Sequence, residues 1–177
     1  MPKDLRTTQN MVRKSLFDSL GQDLEEISFL DLFAGSGANG LEALSRGAQK
    51  VTFVEKNPKH VQVIEENLIL LLEAENRLDF GECEVVARDV FASIKALFQA
   101  KQNFDVIFLD PPYSNGLGKK ALKTLGAYDI VHPNSLVVVQ HAKREILPEK
   151  SGRIVHFREK VFGSTILSFY KVASENQ

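Results

Sequence analysis

Short apolar runs that alternate with helix-like segments constrain the fold of this chain more than any other feature of its sequence. Runs typical of buried strands span residues 27–33, 51–54, 84–87, 104–109 and 135–140. Helical spacing of apolar residues predicts helices over residues 8–20, 39–45, 58–75, 90–100 and 119–125. Two further strand-like segments, 152–157 and 165–170, lie on either side of a turn at 162–164. This order predicts an α/β, Rossmann-like fold with a doubly wound, mostly parallel, seven-stranded sheet ending in an antiparallel hairpin.

Length and composition fit one globular domain. The chain has 177 residues, of which 44% are hydrophobic and 25% are charged, and these values are ordinary for a folded domain. We expect a single domain over residues 1–177, with an N-terminal helical segment at 1–21, a core at 22–172 and a tail at 173–177. No apolar stretch resembles a signal peptide or a membrane span, so we expect a cytoplasmic monomer with no membrane partner.

Cysteine and histidine residues offer no metal-binding pattern. The single cysteine, Cys83, has no partner for an internal disulfide and lies in a strand-like run, so we expect a buried thiol. The four histidines lack the spacing of metal ligands, and we expect surface or edge positions for His60, His132, His141 and His156. We therefore predict no metal.

Positive charge is concentrated near the two ends of the chain, although the formal net charge is only −1. Lys3, Arg6, Arg13 and Lys14 lie within the first twenty residues, and basic residues outnumber acidic ones over 141–171. Such asymmetry allows a basic face on a nearly neutral molecule. Arg13, Lys143 and Arg144 are candidate phosphate contacts, with ordinary surface charge as the alternative.

A glycine-rich turn follows the first predicted strand. Gly35, Gly37 and Gly40 form a G-x-G-x-x-G pattern that lets the backbone turn tightly and approach a ligand closely. Glu55 ends the next strand, where a carboxylate accepts hydrogen bonds from both ribose hydroxyls of a bound nucleoside. These features alone fit either a dinucleotide or S-adenosylmethionine.

Asp31 favours S-adenosylmethionine. A carboxylate four residues before the first glycine repels pyrophosphate but suits the cationic amino-acid end of S-adenosylmethionine. Asp89 follows the third strand, where it either accepts from the adenine amino group or caps a helix. The predicted cofactor-binding set is Asp31, Phe33, Ala34, Gly35, Ser36, Gly37, Gly40, Glu55, Lys56, Asp89 and Asp110.

The sequence Asp110-Pro111-Pro112-Tyr113 directly follows the fourth predicted strand and forms the predicted catalytic set. The amino nitrogen of a base is a poor nucleophile because its lone pair is delocalised into the ring. The Asp110 carboxylate and the Pro111 carbonyl are acceptors for the amino hydrogens, which orients the lone pair toward a methyl donor. Tyr113 offers a surface on which a flipped-out base stacks. The pattern therefore predicts methylation of an exocyclic amino group.

Other functions stay open at this stage. An NAD-dependent oxidoreductase explains the glycines and Glu55 but gives Asp110 to Tyr113 no role. Methylation of adenine N6 in RNA or DNA, of a protein glutamine or of a small amine poses a similar chemical problem. A non-enzymatic RNA-binding protein with the same fold is the remaining alternative.

The chain resembles the bacterial 16S ribosomal RNA guanine-N2 methyltransferases over nearly its whole length. The resemblance rests on residues 31–48, Glu55, residues 110–113, residues 141–145 and residues 162–165. It implies the class I methyltransferase fold, S-adenosylmethionine as cofactor, and methylation of one guanine amino group in 16S rRNA or the small ribosomal subunit.

Two features depart from that family. Its members usually begin with a basic β-hairpin that this sequence lacks. Residues 6–13 also keep only part of the motif Arg-Pro-Thr-Thr-Asp-Arg-Val-Arg. The resemblance implies a predicted substrate-binding set of Arg6, Thr8, Arg13, Tyr113, Lys143 and Arg144.

Overall fold

The computed structural model describes residues 3–75, 81–113 and 116–173, and their side chains except those of residues 3–8 and 75. The helices are α1 (Lys3–Leu20), α2 (Ala38–Ser45), α3 (Pro58–Glu75), α4 (Val90–Gln99) and α5 (Leu117–Ala127). The strands are β1 (Ser28–Leu32), β2 (Lys50–Glu55), β3 (Glu82–Ala87), β4 (Phe104–Leu109), β5 (Val131–Ala142), β6 (Lys150–Ser151), β7 (Ile154–Phe162) and β8 (Thr165–Val172).

All eight strands described form one sheet in the order β3-β2-β1-β4-β5-β8-β7-β6. The first five strands pair in parallel, and β8, β7 and β6 are added antiparallel. The chain leaves β1 in one direction to reach β2 and β3, then crosses to the other side of β1 to form β4 and β5. The prediction of a doubly wound sheet that ends in an antiparallel hairpin is confirmed.

Alternating apolar residues of the strands pack against helices on both faces of the sheet. Leu30 and Leu32 of β1 join Val90, Ile94 and Leu122 in the layer formed with α4 and α5. On the opposite face, residues of α1, α2 and α3 pack against the other strand positions, among them Val12, Leu16, Phe17, Leu44 and Ile64. This two-sided burial explains why the parallel strands read as continuous apolar runs.

The sheet has one strand more than the seven expected. The extra strand, β6, consists of Lys150 and Ser151, which pair with Val155 and Ile154 of β7. A two-residue strand leaves no periodic pattern in the sequence. Strand β5 also begins earlier than expected, at Val131, because the pairing with β4 shifts register between Phe104 and Val106. Residues 132–134 (His-Pro-Asn) at this irregularity interrupt the apolar pattern.

The expectation of a buried Cys83 thiol is wrong. Cys83 is exposed. It lies in β3, an edge strand of the described sheet that pairs only with β2. In this strand only Val85 and Val86 are partly buried, and the other four residues are exposed.

Two other expectations concerned a membrane span and a metal site, neither of which the sequence predicted. No helix of the described part is both long and apolar enough to span a membrane. Within the described ranges, no three histidine, cysteine or acidic side chains cluster as metal ligands would.

Candidate functional site

A cavity of about 590 Å³ lies at the carboxyl ends of the parallel strands, between β1 and β4, where the strand order reverses. Ligands of doubly wound sheets bind at this switch point, and the volume is that of a small-molecule site. The cavity is lined by Gln9, Val12, Arg13, Phe33, Ala34, Gly35, Ser36, Ala38, Asn39, Val54, Glu55, Lys56, Asn57, His60, Asp89, Val90, Asp110, Pro111, Pro112, Tyr113, Gln140 and Thr165.

The three glycines of the loop after β1 have different structural roles. Gly35 lines the cavity with a φ of 56°, which favours glycine, and a Cβ there would meet no atom within 4 Å. Gly40 does not line the cavity, and a Cβ on it would collide with the Phe53 ring of β2. Gly37 lies outside the lining as well. The structure therefore assigns the ligand-facing position to Gly35, whereas Gly40 permits close packing of α2 on the sheet.

Glu55 ends β2 with its carboxylate in the cavity wall. Its Oε2 accepts a hydrogen bond from the backbone N–H of Gly35 at 2.9 Å, and its Oε1 accepts from Asn57 N at 2.8 Å. His60 Nδ1 lies 3.8 Å from the same Oε1. Each carboxylate oxygen has a further lone pair, so Glu55 remains able to accept from a ligand while it fixes the loop.

Asp31 lies behind the glycine loop and not in the cavity lining. It is 1% exposed, and its Oδ2 accepts a hydrogen bond from Gly40 N at 3.0 Å. Its Oδ1 is buried and has no partner among the described residues. Burial is the main cause that raises the pKa of Asp31 to about 7, and the negative charges of Asp110 and Glu55 raise it further.

Asp110 follows β4 and lines the cavity beside the end of β1. Its backbone N–H donates to Leu32 O at 3.3 Å, which ties the end of β4 to the end of β1. No group among the described residues donates a hydrogen bond to its carboxylate. Burial raises the pKa of Asp110 to about 7. The next residue, Pro111, is buried, and it fixes the backbone that leads to Tyr113.

Tyr113 is 39% exposed at the cavity, with its hydroxyl anchored to the neighbouring strands. Gln140 Nε2 donates to the Tyr113 hydroxyl at 2.9 Å, and Thr165 Oγ1 lies 3.4 Å from it. Sequence reasoning did not select Gln140 or Thr165 as site residues. A signal existed for Gln140, because a polar residue ends the apolar run of β5 at the carboxyl edge of the sheet.

Asp89 caps a helix, which is one of the two roles that were considered for it. Its Oδ1 caps α4 by accepting from Phe91 N at 3.0 Å and from Ala92 N at 3.4 Å. The residue also lines the cavity. Phe33, Ala34, Ser36 and Lys56 line the cavity as well, as the sequence indicated.

The basic residues predicted to bind substrate are only partly brought together. Arg13 lines the cavity, and its Nη2 donates to Asn10 Oδ1 at 3.0 Å. Lys143 and Arg144 are exposed in the turn after β5 and do not line the cavity. Lys143 N donates to Ser164 O at 2.8 Å, which places this turn beside Thr165 in the cavity wall. The side chains of Arg6 and Thr8 lie outside the described part of the chain.

One histidine departs from its expected surface position. His141 is 4% exposed at the end of β5, and its Nε2 lies 2.8 Å from Ser168 Oγ. Burial lowers the pKa of His141. It lies between Gln140 and Ala142 in the chain, so no local pattern indicated that β8 covers it.

Comparison with known proteins identifies the family of this chain. A family model described as conserved hypothetical protein 95 matches residues 1–171. The ribosomal RNA small subunit methyltransferase D of Haemophilus influenzae is 34% identical over 163 residues, which cover 87% of this chain and 81% of the relative.

Solved structures share the fold. A hypothetical protein of Thermus thermophilus matches with a TM-score of 0.75 and 32% identity, over 92% of this chain and 85% of that chain. An RNA methyltransferase from Salinibacter ruber in complex with S-adenosyl-L-homocysteine matches with a TM-score of 0.64 at 17% identity, over 100% and 95% of the two chains. At that identity the similarity concerns the fold.

These findings confirm the predicted fold, the predicted resemblance to the rRNA methyltransferases and, at the level of the family, the predicted cofactor S-adenosylmethionine. Because the family model covers residues 1–171, the chain belongs to the family described as conserved hypothetical protein 95 and is related to a ribosomal RNA small subunit methyltransferase.

Proposed function

We propose that this protein transfers a methyl group from S-adenosylmethionine to the exocyclic N2 amino group of a guanine in small-subunit rRNA. The observation that carries the proposal is the placement of Asp110 and Tyr113 in the same cavity as the glycine loop and Glu55. A hydrogen-bond acceptor and a stacking surface thereby share one cavity with the groups suited to a nucleoside.

The acidic surroundings of the cavity fit a cationic ligand. The negative charges of Glu55 and Asp110 lie close enough to Asp31 to raise its pKa. A pyrophosphate would add negative charge to this set, whereas the sulfonium and ammonium groups of S-adenosylmethionine neutralise it. The unpartnered Asp31 Oδ1 further indicates a buried acceptor that a ligand completes, directly or through water.

The ribose and the adenine of S-adenosylmethionine each have a suitable partner among the residues around the cavity. Glu55 has free lone pairs for the two ribose hydroxyls, and Gly35 lets the backbone approach the ligand. The Asp89 oxygen not used for capping α4 is the acceptor for the adenine amino group. Phe33, Ala34, Ser36 and Lys56 supply the remaining walls.

S-adenosylmethionine supplies an electrophilic methyl group when bound. Asp110 accepts one hydrogen of the target amino group, and the Pro111 carbonyl accepts the other, so that the nitrogen lone pair points along the line of transfer. As the nitrogen–carbon bond forms and the carbon–sulfur bond breaks, the nitrogen becomes more acidic. Asp110, with a pKa of about 7, is matched to receive the released proton near neutral pH.

RNA is favoured as the substrate class by two observations. The relative described above is named for methylation of small-subunit rRNA. Basic side chains surround the approach to the cavity, with Arg13 and Lys56 in its wall and Lys143 and Arg144 in the adjoining turn. Such groups contact phosphates and position a polynucleotide, while the cavity receives a single flipped base.

The test is transfer of a radiolabelled methyl group to 30S subunits, free 16S rRNA and DNA, followed by nucleoside analysis. We expect N2-methylguanosine from one of the two rRNA substrates and no label in DNA. N6-methyladenosine would overturn the base assignment. Binding of both RNA and S-adenosylmethionine without transfer to any of the three would indicate a non-enzymatic RNA-binding protein instead.

A further inference from the structure

The Tyr113 ring is held through its hydroxyl, although the residue lines the cavity and is partly exposed. Its backbone follows two prolines, and 39% of the residue remains exposed. Gln140 Nε2 donates to the hydroxyl oxygen at 2.9 Å, and Thr165 Oγ1 lies on its other side at 3.4 Å. The tip of the ring is therefore fixed while the part that would meet a base stays accessible.

The sheet register brings Gln140 and Thr165 to the same face. Strands β5 and β8 pair antiparallel, with Gln140 opposite Leu167 and Ala142 opposite Thr165. Gln140 and Thr165 are therefore diagonal neighbours, and the alternation of side chains puts both on one face of the sheet. Both line the cavity, and they are only 9% and 7% exposed.

Burial of these two side chains needs a compensating contact. A buried amide without a hydrogen bond is destabilising, so an apolar residue would suit the end of β5 better if packing were its only role. The Gln140 amide instead donates to Tyr113, a residue of a different loop 27 positions away. The contact links the last strands of the sheet to the loop after β4.

On the basis of the function proposed above, we propose that Gln140 and Thr165 are positioning residues that hold Tyr113 ready to stack on the target base. A free aromatic side chain would have to be ordered at the moment of RNA binding, and this ordering weakens affinity. A ring already fixed by two hydrogen-bonding neighbours avoids that loss.

The kinetic test uses Gln140→Met, which keeps the length and packing of the side chain but removes the hydrogen bond. We expect the KM for RNA to rise roughly three- to tenfold, the effect of one lost hydrogen bond. The kcat and the Kd for S-adenosylmethionine should stay within twofold, because stacking on the base is common to the bound complex and the transition state. Thr165→Val should raise the KM by a smaller factor, since its contact is longer.

Gln102→Met is the matched control. It makes the same chemical change before β4, at the end of the sheet away from the cavity, and Gln102 is not part of the lining. We expect no change in KM for this variant. An equal rise of KM in both variants would mean a general loss of structure and would overturn the positioning role.

A double-mutant cycle identifies Tyr113 as the residue through which Gln140 acts. Tyr113→Phe removes only the hydroxyl, and in that background Gln140→Met should have no further effect on KM. If Gln140→Met raised the KM equally in both backgrounds, Gln140 would act on the RNA directly and the proposal would be wrong.

A second readout needs no catalysis. The chain contains three tyrosines, and Tyr113→Phe assigns the resonances of Tyr113 in NMR spectra of ring-labelled protein. We expect the ring of Tyr113 to become more mobile on the ps–ns timescale in Gln140→Met and not in Gln102→Met. An unchanged ring would refute the anchoring. Increased mobility in a protein that transfers no methyl group to RNA would support the anchoring and refute the proposed function.

Discussion

Strand β4 has an aspartate near each of its ends, and the pKa values of the two carboxyl groups shift in opposite directions. Asp105 lies near the amino end of the strand, and its pKa is lowered. Burial acts to raise that pKa, but hydrogen bonds from Ser28 and His132 outweigh it. Asp110 follows the carboxyl end, where burial without a donor raises the pKa to about 7.

The partners of the two carboxylates explain the difference. Asp105 Oδ2 accepts from Ser28 N at 2.8 Å and from the Ser28 hydroxyl, and Oδ1 lies 2.9 Å from His132 Nε2. These bonds join the beginnings of β1, β4 and the irregular part of β5. At the other end, Asp110 and the Oδ1 atom of Asp31 have no donor among the described residues. At the amino end of β4 the carboxylate is hydrogen-bonded within the protein. At the carboxyl ends of the strands, carboxylate oxygens remain as acceptors for a ligand.

The largest effect is expected from removing the charge of Asp110. Asp110→Asn should lower the rate of methyl transfer by at least about a hundredfold, because the preorganised negative charge that receives the released proton is lost. Asp105→Asn is the matched change at the other end of β4 and should leave the rate per folded molecule within twofold. Single-turnover transfer to RNA measures both. Similar losses in the two variants would remove the functional distinction between the ends of the sheet.

Stability should respond in opposite directions at the two ends. At pH 8, Asp31→Asn should raise the free energy of unfolding by roughly 1–3 kcal/mol, because the variant no longer buries an ionised carboxylate. The gain is reduced because the new amide group has no hydrogen-bond partner. Asp105→Asn should lower it by about 1–3 kcal/mol, because hydrogen bonds to a charged group are weakened. Urea denaturation of the ligand-free protein at pH 8 measures both changes.

The sign of the pH dependence follows from the direction of each shift. The folded pKa of Asp31 lies above its unfolded value of 3.8, so its burial destabilises the protein increasingly as pH rises from about 4 to about 7. The advantage of Asp31→Asn should therefore vanish near pH 4. Asp105 has a lowered folded pKa, and its contribution is present above the unfolded value and is lost as pH falls through the folded one. A gain from Asp31→Asn that persisted at pH 4 would contradict this account.

The transfer rate itself should rise with pH through about 7. Asp110 accepts an amino hydrogen only when ionised, and a group with a pKa of about 7 is roughly ten times more ionised at pH 8 than at pH 6. We expect a corresponding increase of about tenfold in kcat/KM for S-adenosylmethionine, which reports the ionisation of the ligand-free protein. The residual activity of Asp110→Asn should lack this step. A wild-type profile that is flat from pH 6 to 8 would show that Asp110 is not the titrating group.

The smallest effect is expected from a basic residue at the cavity end. Lys143→Asn should raise the KM for RNA a few-fold. In a plot of log KM against the logarithm of the salt concentration, the slope should fall by about one, the value for one lost phosphate contact. Lys101→Asn makes the same change in the exposed turn before β4, where Asn tolerates the positive φ of 55°. That control should alter neither quantity. Equal effects of the two substitutions would indicate general electrostatic attraction over the whole surface.

Local sequence patterns were sufficient for most of the fold. The alternation of apolar runs and helical spacing predicted the order of the elements, because a strand buried on both faces must be apolar throughout. The same patterns missed β6 and the beginning of β5. A two-residue strand has no period, and the pairing of residues 131–136 depends on a register shift against β4.

Part of the site could be predicted because it consists of short sequence motifs, each placed directly after a strand. The glycine loop, Glu55 and residues 110–113 each follow a strand, and parallel strands bring their carboxyl ends to one edge. The contacts of Gln140 and Thr165 with Tyr113 could not be predicted, since they join positions that are 27 and 52 residues apart. The burial of His141 depends likewise on β8.

The sequence by itself therefore determined the order of the elements and the chemistry available at the end of each strand. Only the tertiary structure decided which carboxylates are satisfied and which are not. Asp31, Asp105 and Asp110 look alike in the sequence, all close to apolar strand residues. Their pKa values differ because hydrogen-bond donors reach Asp105 from two other strands, while burial dominates at Asp31 and Asp110.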